Sequence, residues 1–229
     1  MNGVFVTGTG TEVGKTVVAA VIARTLAAEG QTVAVFKPAV TGLDEAGEPD
    51  HALLRRASGS TQSDEEIAPF RYKPAASPHL AAELAGEEIE RDRLIATAFV
   101  AAAGADTVVC EGVGGLLVPL AGRVSRSIGD QRAQPYLVRD LAVDLALPLV
   151  IAASPGLGTI NHTLLTIEAA RAAALEVAAV VLTPWPNQPS RVEQSNRETI
   201  EALSGVPVEV LSLLDLAEPD TWPELQVKR

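Results

Sequence analysis

A chain of 229 residues, 47% hydrophobic yet only 3% aromatic, has enough Ala, Val and Leu to bury a core, which excludes collagen-like, low-complexity and disordered classes and predicts one domain over 1–229. Its 18 Lys and Arg face 29 Asp and Glu, a net charge of −11 with no Lys/Arg-rich run to follow a phosphate backbone, so nucleic acid is not an expected partner. The single cysteine can close no intrachain disulfide, and the longest apolar run, 145–153, is broken by Pro148 and far short of the roughly 20 residues a membrane span needs; with no apolar h-region before Gly8, a cytoplasmic protein without a membrane partner is expected.

In chain order, Val4–Val6 predicts a first strand that runs into the glycine-rich segment 8–16, followed by a helix over 15–29 stopped by Gly30. A second strand over Thr32–Phe36 ends at Lys37-Pro38, and a helix over 50–57 begins after Pro49. Helices near 79–85, with Ser77 as cap, and over 90–103, stopped by Gly104, lead to a strand at Thr107–Val109. The remaining pattern predicts a helix over 136–146, a strand at Leu149–Ile151, a helix over 159–173, a strand at Ala179–Leu182 and a helix over 190–203. Continuous β-branched strands alternating with helices predict an α/β fold with a doubly wound, mostly parallel sheet flanked by helices. The segments 41–49, 112–122, 154–158 and 184–189 each follow a strand, where such a sheet binds ligands.

The strongest chemical motif lies on the first of these edges. Gly8-Thr9-Gly10-Thr11-Glu12-Val13-Gly14-Lys15-Thr16, between a strand and a helix, is a P-loop, although Thr9 stands where the general pattern has its first glycine. Small residues let backbone N–H groups converge on phosphate at a helix N-terminus, Lys15 reaches the β/γ oxygens, and Thr16 ligates Mg²⁺. The fold is therefore read as P-loop NTPase-like. A P-loop metal usually needs a strand-end carboxylate, and Glu111 ends a strand just before Gly112-Val113-Gly114-Gly115; a surface or helix-capping glutamate is the alternative. Asp50 on its own reads as a helix N-cap. Lys37 reads either as a solvated lysine or, held extended by Pro38, as a second cation on the Lys15 crevice, where it could stabilise an anion developing on a substrate.

Together with Lys37-Pro38-Ala39-Val40-Thr41-Gly42, Ser77-Pro78-His79, the Glu111 segment and Gly156-Leu157-Gly158-Thr159-Ile160-Asn161-His162, this loop resembles the dethiobiotin synthetases over roughly 1–205, including the displaced first glycine. The resemblance implies a ligase of biotin biosynthesis that joins 7,8-diaminononanoate and CO₂ into dethiobiotin with release of ADP and phosphate, through a carbamate and a phosphorylated carbamate. It implies Lys15, Lys37 and Thr11 as catalytic, and Thr16, Asp50 and Glu111 as Mg²⁺ ligands. Nucleotide is expected on residues Glu12, Val13, Gly14, Lys15, Thr16, Val17, Asp50, Glu111, Gly112, Val113 and Gly114, with its base near Thr183, Pro184, Leu211, Ser212 and Leu213. The diamine is expected beside Thr11, Glu12, Lys37, Thr41, Ser77 and Pro78, and Asn161 is implied to cross the two-fold interface of a homodimer; its neighbour His162 reads as packed and hydrogen-bonded, and Cys110 as an inert small hydrophobe.

Many members of the family place an asparagine after the strand that here ends at Leu182, and an amide can pair with the donor and acceptor of adenine together. This chain has Thr183-Pro184-Trp185-Pro186, so nucleoside triphosphates besides ATP are expected to be accepted. Two other P-loop classes compete with this reading. A cobalamin-type amidase or synthetase typically carries a glutaminase domain with a nucleophilic cysteine, and a partitioning-type ATPase would want a lysine within positions 8–13 and a membrane-targeting tail; none of these is found here. The segment 123–135, longer and more polar than the family pattern, suggests no function.

Overall fold

The computed structural model describes residues 1–44, 46–122 and 135–227, so the polar segment 123–135 lies, up to residue 134, outside the described residues. In chain order the elements are β1 (Gly3–Gly8), α1 (Lys15–Ala28), β2 (Val33–Phe36), β3 (Ala39–Val40), α2 (Asp50–Ser58), α3 (Asp64–Ile67), β4 (Phe70–Arg71), α4 (Pro78–Leu84) and α5 (Arg91–Ala102). There follow β5 (Thr107–Gly115), β6 (Pro119–Ala121), β7 (Tyr136–Leu137), α6 (Val138–Leu145), β8 (Leu149–Ala153), α7 (Thr159–Ala172), β9 (Val177–Trp185), α8 (Arg191–Ser204) and β10 (Val208–Ser212).

Six strands form one sheet in the order β10-β9-β8-β1-β5-β2, and every pairing within it is parallel. Strand alternation explains why helices must cover both faces. Val4 and Val6, with Val109, Val150 and Val181, point towards α1 and α2. Phe5, Phe36 and Cys110 point the other way, into a cluster with Leu94 and Ala98 of α5 and Leu141 and Ala142 of α6. Ile151, Val180 and Leu182 extend that second face under Ile167 of α7 and Ile200 of α8. The sheet is thus doubly wound, and β1 lies inside it between β5 and β8, which brings the loop after β1 to the middle of the carboxyl edge.

The predicted strands and helices are all present, with differences that have local causes. β5 and β9 run on to Gly115 and Trp185, so part of each expected loop is strand. α6 begins at Val138 because Tyr136 and Leu137 are drawn into the β6 ladder. The edge strand β10 was not anticipated: its Val208-Glu209-Val210 alternation is short and one-sided, with Glu209 exposed. Nor was α3, which starts on a reciprocal cap between Ser63 and Glu66. Ser77 holds the N-cap position of α4, but no side-chain cap bond forms there, so the expected serine cap is corrected to a Pro78 start.

The chain beyond β10 returns across α1. Trp222 and Leu225 are buried in the core cluster of α1, the Trp222 indole donates to the Asp215 carbonyl at 2.7 Å, and Arg24 pairs with Asp220. The Leu225 N–H donates to Thr25 Oγ1 at 3.0 Å, while that hydroxyl donates to the Val21 carbonyl at 2.9 Å. Thr25→Val keeps the shape but strands a buried N–H, so urea denaturation should report a loss of about 1–3 kcal/mol; a loss below about 0.5 kcal/mol would mean that this bond does not hold the strap. Among the described residues, no helix is long and apolar enough to cross a membrane.

Candidate functional site

The loop between β1 and α1 places its residues by backbone geometry. Gly14 adopts φ 83 at the N-cap of α1, and a Cβ there would lie 2.5 Å from Thr183 Cγ2 at the end of β9. Only glycine takes this conformation and approach together. Glu12, with φ 58, is held left-handed without being glycine, a local cost that the loop sustains where it lines the crevice. Lys15, the first residue of α1, donates from Nζ to the Gly10 carbonyl at 2.7 Å, so its side chain folds back over the loop.

Three further segments converge on this helix start. The parity that sends Val109 of β5 towards α1 also sends Glu111 there, and leaves Cys110 on the opposite face. Glu111 is 0% exposed and Lys37, just past β2, is 3% exposed. Lys37 Nζ lies 2.5 Å from Glu111 Oε1 and 2.6 Å from Asp50 Oδ2, which rules out the solvated reading of this lysine. Asp50 is the first residue of α2, behind Pro49 at the N-cap. The N-cap reading of Asp50 is therefore corrected: its carboxylate is spent on Lys37 and on Thr16. Thr16 Oγ1 lies 2.9 Å from Asp50 Oδ1 and 2.9 Å from Glu111 Oε1, and its one proton serves a single acceptor at a time.

The charges of this cluster depend on one another. Burial works to lower Lys37, but the Glu111 and Asp50 charges and hydrogen bonds together outweigh it and hold the ammonium above the usual lysine range. Burial likewise raises Asp50, but the Lys37 charge, with hydrogen bonds from Lys37 and Thr16, brings it below the usual carboxylate range. Glu111 is pushed up by burial, which Lys37 only partly offsets while the Asp50 charge adds to it. Lys15 is lowered, first by burial. Glu111 Oε2 is buried without a hydrogen-bond partner, a state a carboxylate oxygen tolerates only if a cation or donor can reach it. Two carboxylates and a hydroxyl form an all-oxygen set suited to a hard divalent cation. Among the described residues no three His, Cys, Asp or Glu come together as a metal group; the oxygen that lies against both carboxylates is Thr16 Oγ1.

Around this cluster opens a crevice of about 710 Å³. It is lined by the expected residues Thr11, Glu12, Gly14, Lys15, Thr16, Val17, Lys37, Thr41, Asp50, Ser77, Pro78, Glu111, Val113 and Gly114. Ala39, Ala75, Ala76 and Val118 also line it and were missed; two of them immediately precede Ser77-Pro78, and together with Val113 and Pro78 they give the crevice an apolar wall. Other expected residues lie outside. The Val13 side chain turns back against Gly8, and Gly112 packs on Phe5 and Val138. Thr183 is buried behind Gly14, Leu211 belongs to the core beneath α1, and Pro184, Ser212 and Leu213 follow them on the β9–β10 edge without lining the crevice. Asn161 is exposed in the first turn of α7, one turn from Leu157 at 96% and Leu165 at 55% exposure. Gly158 holds the N-cap of that helix, and His162 is exposed there, so the packed reading of His162 is corrected.

A family model described as an AAA domain matches residues 2–216. The ATP-dependent dethiobiotin synthetase BioD of Rhodococcus erythropolis is 40% identical over 205 residues, covering 89% of this chain and 85% of that protein. The protein of the same name from Bacillus subtilis is 35% identical over 209 residues, with 91% and 85% covered. That of Bacillus cereus is 38% identical over 225 residues, with 98% and 87% covered.

Proposed function

The chain belongs to the dethiobiotin synthetases, and from that premise we propose how its crevice performs the ring closure. It is an ATP-dependent ligase of biotin biosynthesis. The observation that carries the residue-level reading is the meeting of two lysines and three oxygen ligands on one crevice with an apolar wall. The amides of residues 12–17 and the N-terminus of α1 receive the nucleotide phosphates. Ala39, Ala75, Ala76 and Val118 suit the aliphatic chain of 7,8-diaminononanoate, and Thr11, Glu12, Thr41 and Ser77 suit its polar end.

One amine bonds to CO₂ and loses a proton, giving a carbamate whose charge Lys37 and Lys15 neutralise. The carbamate oxygen takes the γ-phosphoryl group as the bond to the ADP oxygen breaks, and the second amine then attacks the carbamate carbon and expels phosphate, closing the cyclic urea. A carbamate is a weak anionic nucleophile, so positioning and charge neutralisation matter more here than a strong base. Mg²⁺, which Thr16, Asp50 and Glu111 would hold, supplies charge neutralisation along the nucleotide phosphates when bound. The decisive assay is ATP-dependent incorporation of labelled bicarbonate into dethiobiotin from the diamine; nucleotide hydrolysis without urea formation would overturn the substrate assignment.

Thr183, buried behind the P-loop, offers a base edge no amide, and this supports a relaxed choice of nucleotide. Rates with ATP, GTP and CTP are expected within about tenfold of one another, and a thousandfold preference for ATP would sink the idea. The exposed face formed by Leu157, just ahead of α7, with Asn161 and Leu165 on it supports a homodimer in which Asn161 reaches the partner's diamine. Asn161→Ala should then raise KM for the diamine and leave that for nucleotide unchanged; an effect on nucleotide alone contradicts the role.

A further inference from the structure

Lys37 is placed to do something that the ring-closure scheme does not use. Its ammonium bridges Asp50 and Glu111, and the Glu111 oxygen it holds, Oε1, is the one that also faces the Thr16 hydroxyl. Both carboxylates that would turn towards a divalent cation beside Thr16 are therefore already engaged by a lysine, through Glu111 Oε1 and Asp50 Oδ2, and with Glu111 and Lys37 both buried two cations on them would be only weakly screened from each other.

Resting on the reading of Thr16, Asp50 and Glu111 as the cation's ligands, we propose that Lys37 is the resident counter-ion of those carboxylates, that a divalent cation must displace it, and that the displaced ammonium is what the carbamate then receives. Metal and carbamate are thereby coupled through one side chain. A cation on the carboxylates frees Lys37 for the carbamate, and by reciprocity a carbamate that draws Lys37 away tightens the cation. The same lysine keeps Asp50 and Glu111 from facing each other uncompensated before either ligand arrives.

The test is Mn²⁺ alone, titrated into nucleotide-free protein and followed by electron paramagnetic resonance. Lys37→Gln is expected to bind Mn²⁺ about tenfold more tightly than the wild type, equivalent to about 1.4 kcal/mol, with Lys37→Arg close to the wild type. In the wild type, diamine with bicarbonate should tighten Mn²⁺ severalfold, and in Lys37→Gln it should not. Equal or weaker binding by Lys37→Gln, with Asp50→Asn still abolishing binding, overturns the competition alone. Binding that Asp50→Asn leaves intact overturns the metal site and this inference with it. Should Lys37→Gln fail to fold, a wild-type Mn²⁺ affinity unmoved by diamine and bicarbonate overturns the coupling by itself.

Discussion

Lys37→Gln should lower the rate of dethiobiotin formation by roughly 10²- to 10³-fold, the usual cost of removing a group aimed at charge that develops in the reaction. The effect should fall on kcat more than on KM for nucleotide, because Lys15 and the loop amides remain. Stability should fall too, since Glu111 loses a cation from a wholly buried position. Glutamine can still donate to one carboxylate, which keeps the loss nearer to about 1–3 kcal/mol than to the full cost of an orphaned charge. Steady-state assays together with urea denaturation separate the two effects. A rate reduced only severalfold, in a variant that folds, would make Lys37 a bystander to the chemistry. The combination expected here, slower turnover with tighter Mn²⁺, distinguishes a competing cation from a residue that merely holds the site together.

Gly14→Ala should weaken nucleotide binding by at least about a hundredfold while leaving most of the sheet intact. Two costs meet at this residue. An L-residue at φ 83 is strained by roughly 1–2 kcal/mol, and the new methyl would stand 2.5 Å from Thr183 Cγ2, far inside contact distance, so the loop or the end of β9 must move. Either movement re-aims the amides that receive phosphate, and misplacement by about an ångström is enough to lose most of their benefit. Isothermal titration with a non-hydrolysable nucleotide measures the loss. Adding Thr183→Ser removes the colliding methyl and should recover about tenfold of it. A double variant as weak as the single one would assign the whole effect to backbone strain, and an unaffected Gly14→Ala would show that the loop can rearrange at little cost.

The sheet could be read from the sequence because its strands are buried on both faces and so appear as continuous apolar runs, as Leu149-Val150-Ile151 does in β8. β10 escaped because it is an edge strand, with Glu209 facing solvent and only Val208 and Leu211 fully buried. The P-loop was legible because its chemistry is contiguous. Asp50 and Lys37 were legible only in part: Lys37 kept a solvated reading beside the crevice one, Asp50 read as a helix cap until the resemblance implied a metal ligand, and only the fold brings residues 16, 37, 50 and 111 within hydrogen-bonding reach. The apolar wall was hidden for a similar reason. Ala39, Ala75, Ala76 and Val118 are ordinary residue types until β3 and two loops place them side by side. Thr183 shows the converse: its position just past the strand predicted to end at Leu182 suggested a base contact, and the fold carries it within β9 and buries it against Gly14.

The strap across α1 has a consequence for how the molecule could be watched at work. α1 begins at Lys15 and is gripped at Thr25, about 15 Å along its axis. A rod clamped at both ends shares its fluctuations between them. Filling the phosphate end should therefore slow hydrogen exchange of the Leu225 amide, making a residue remote from the chemistry a reporter of whether the loop is loaded.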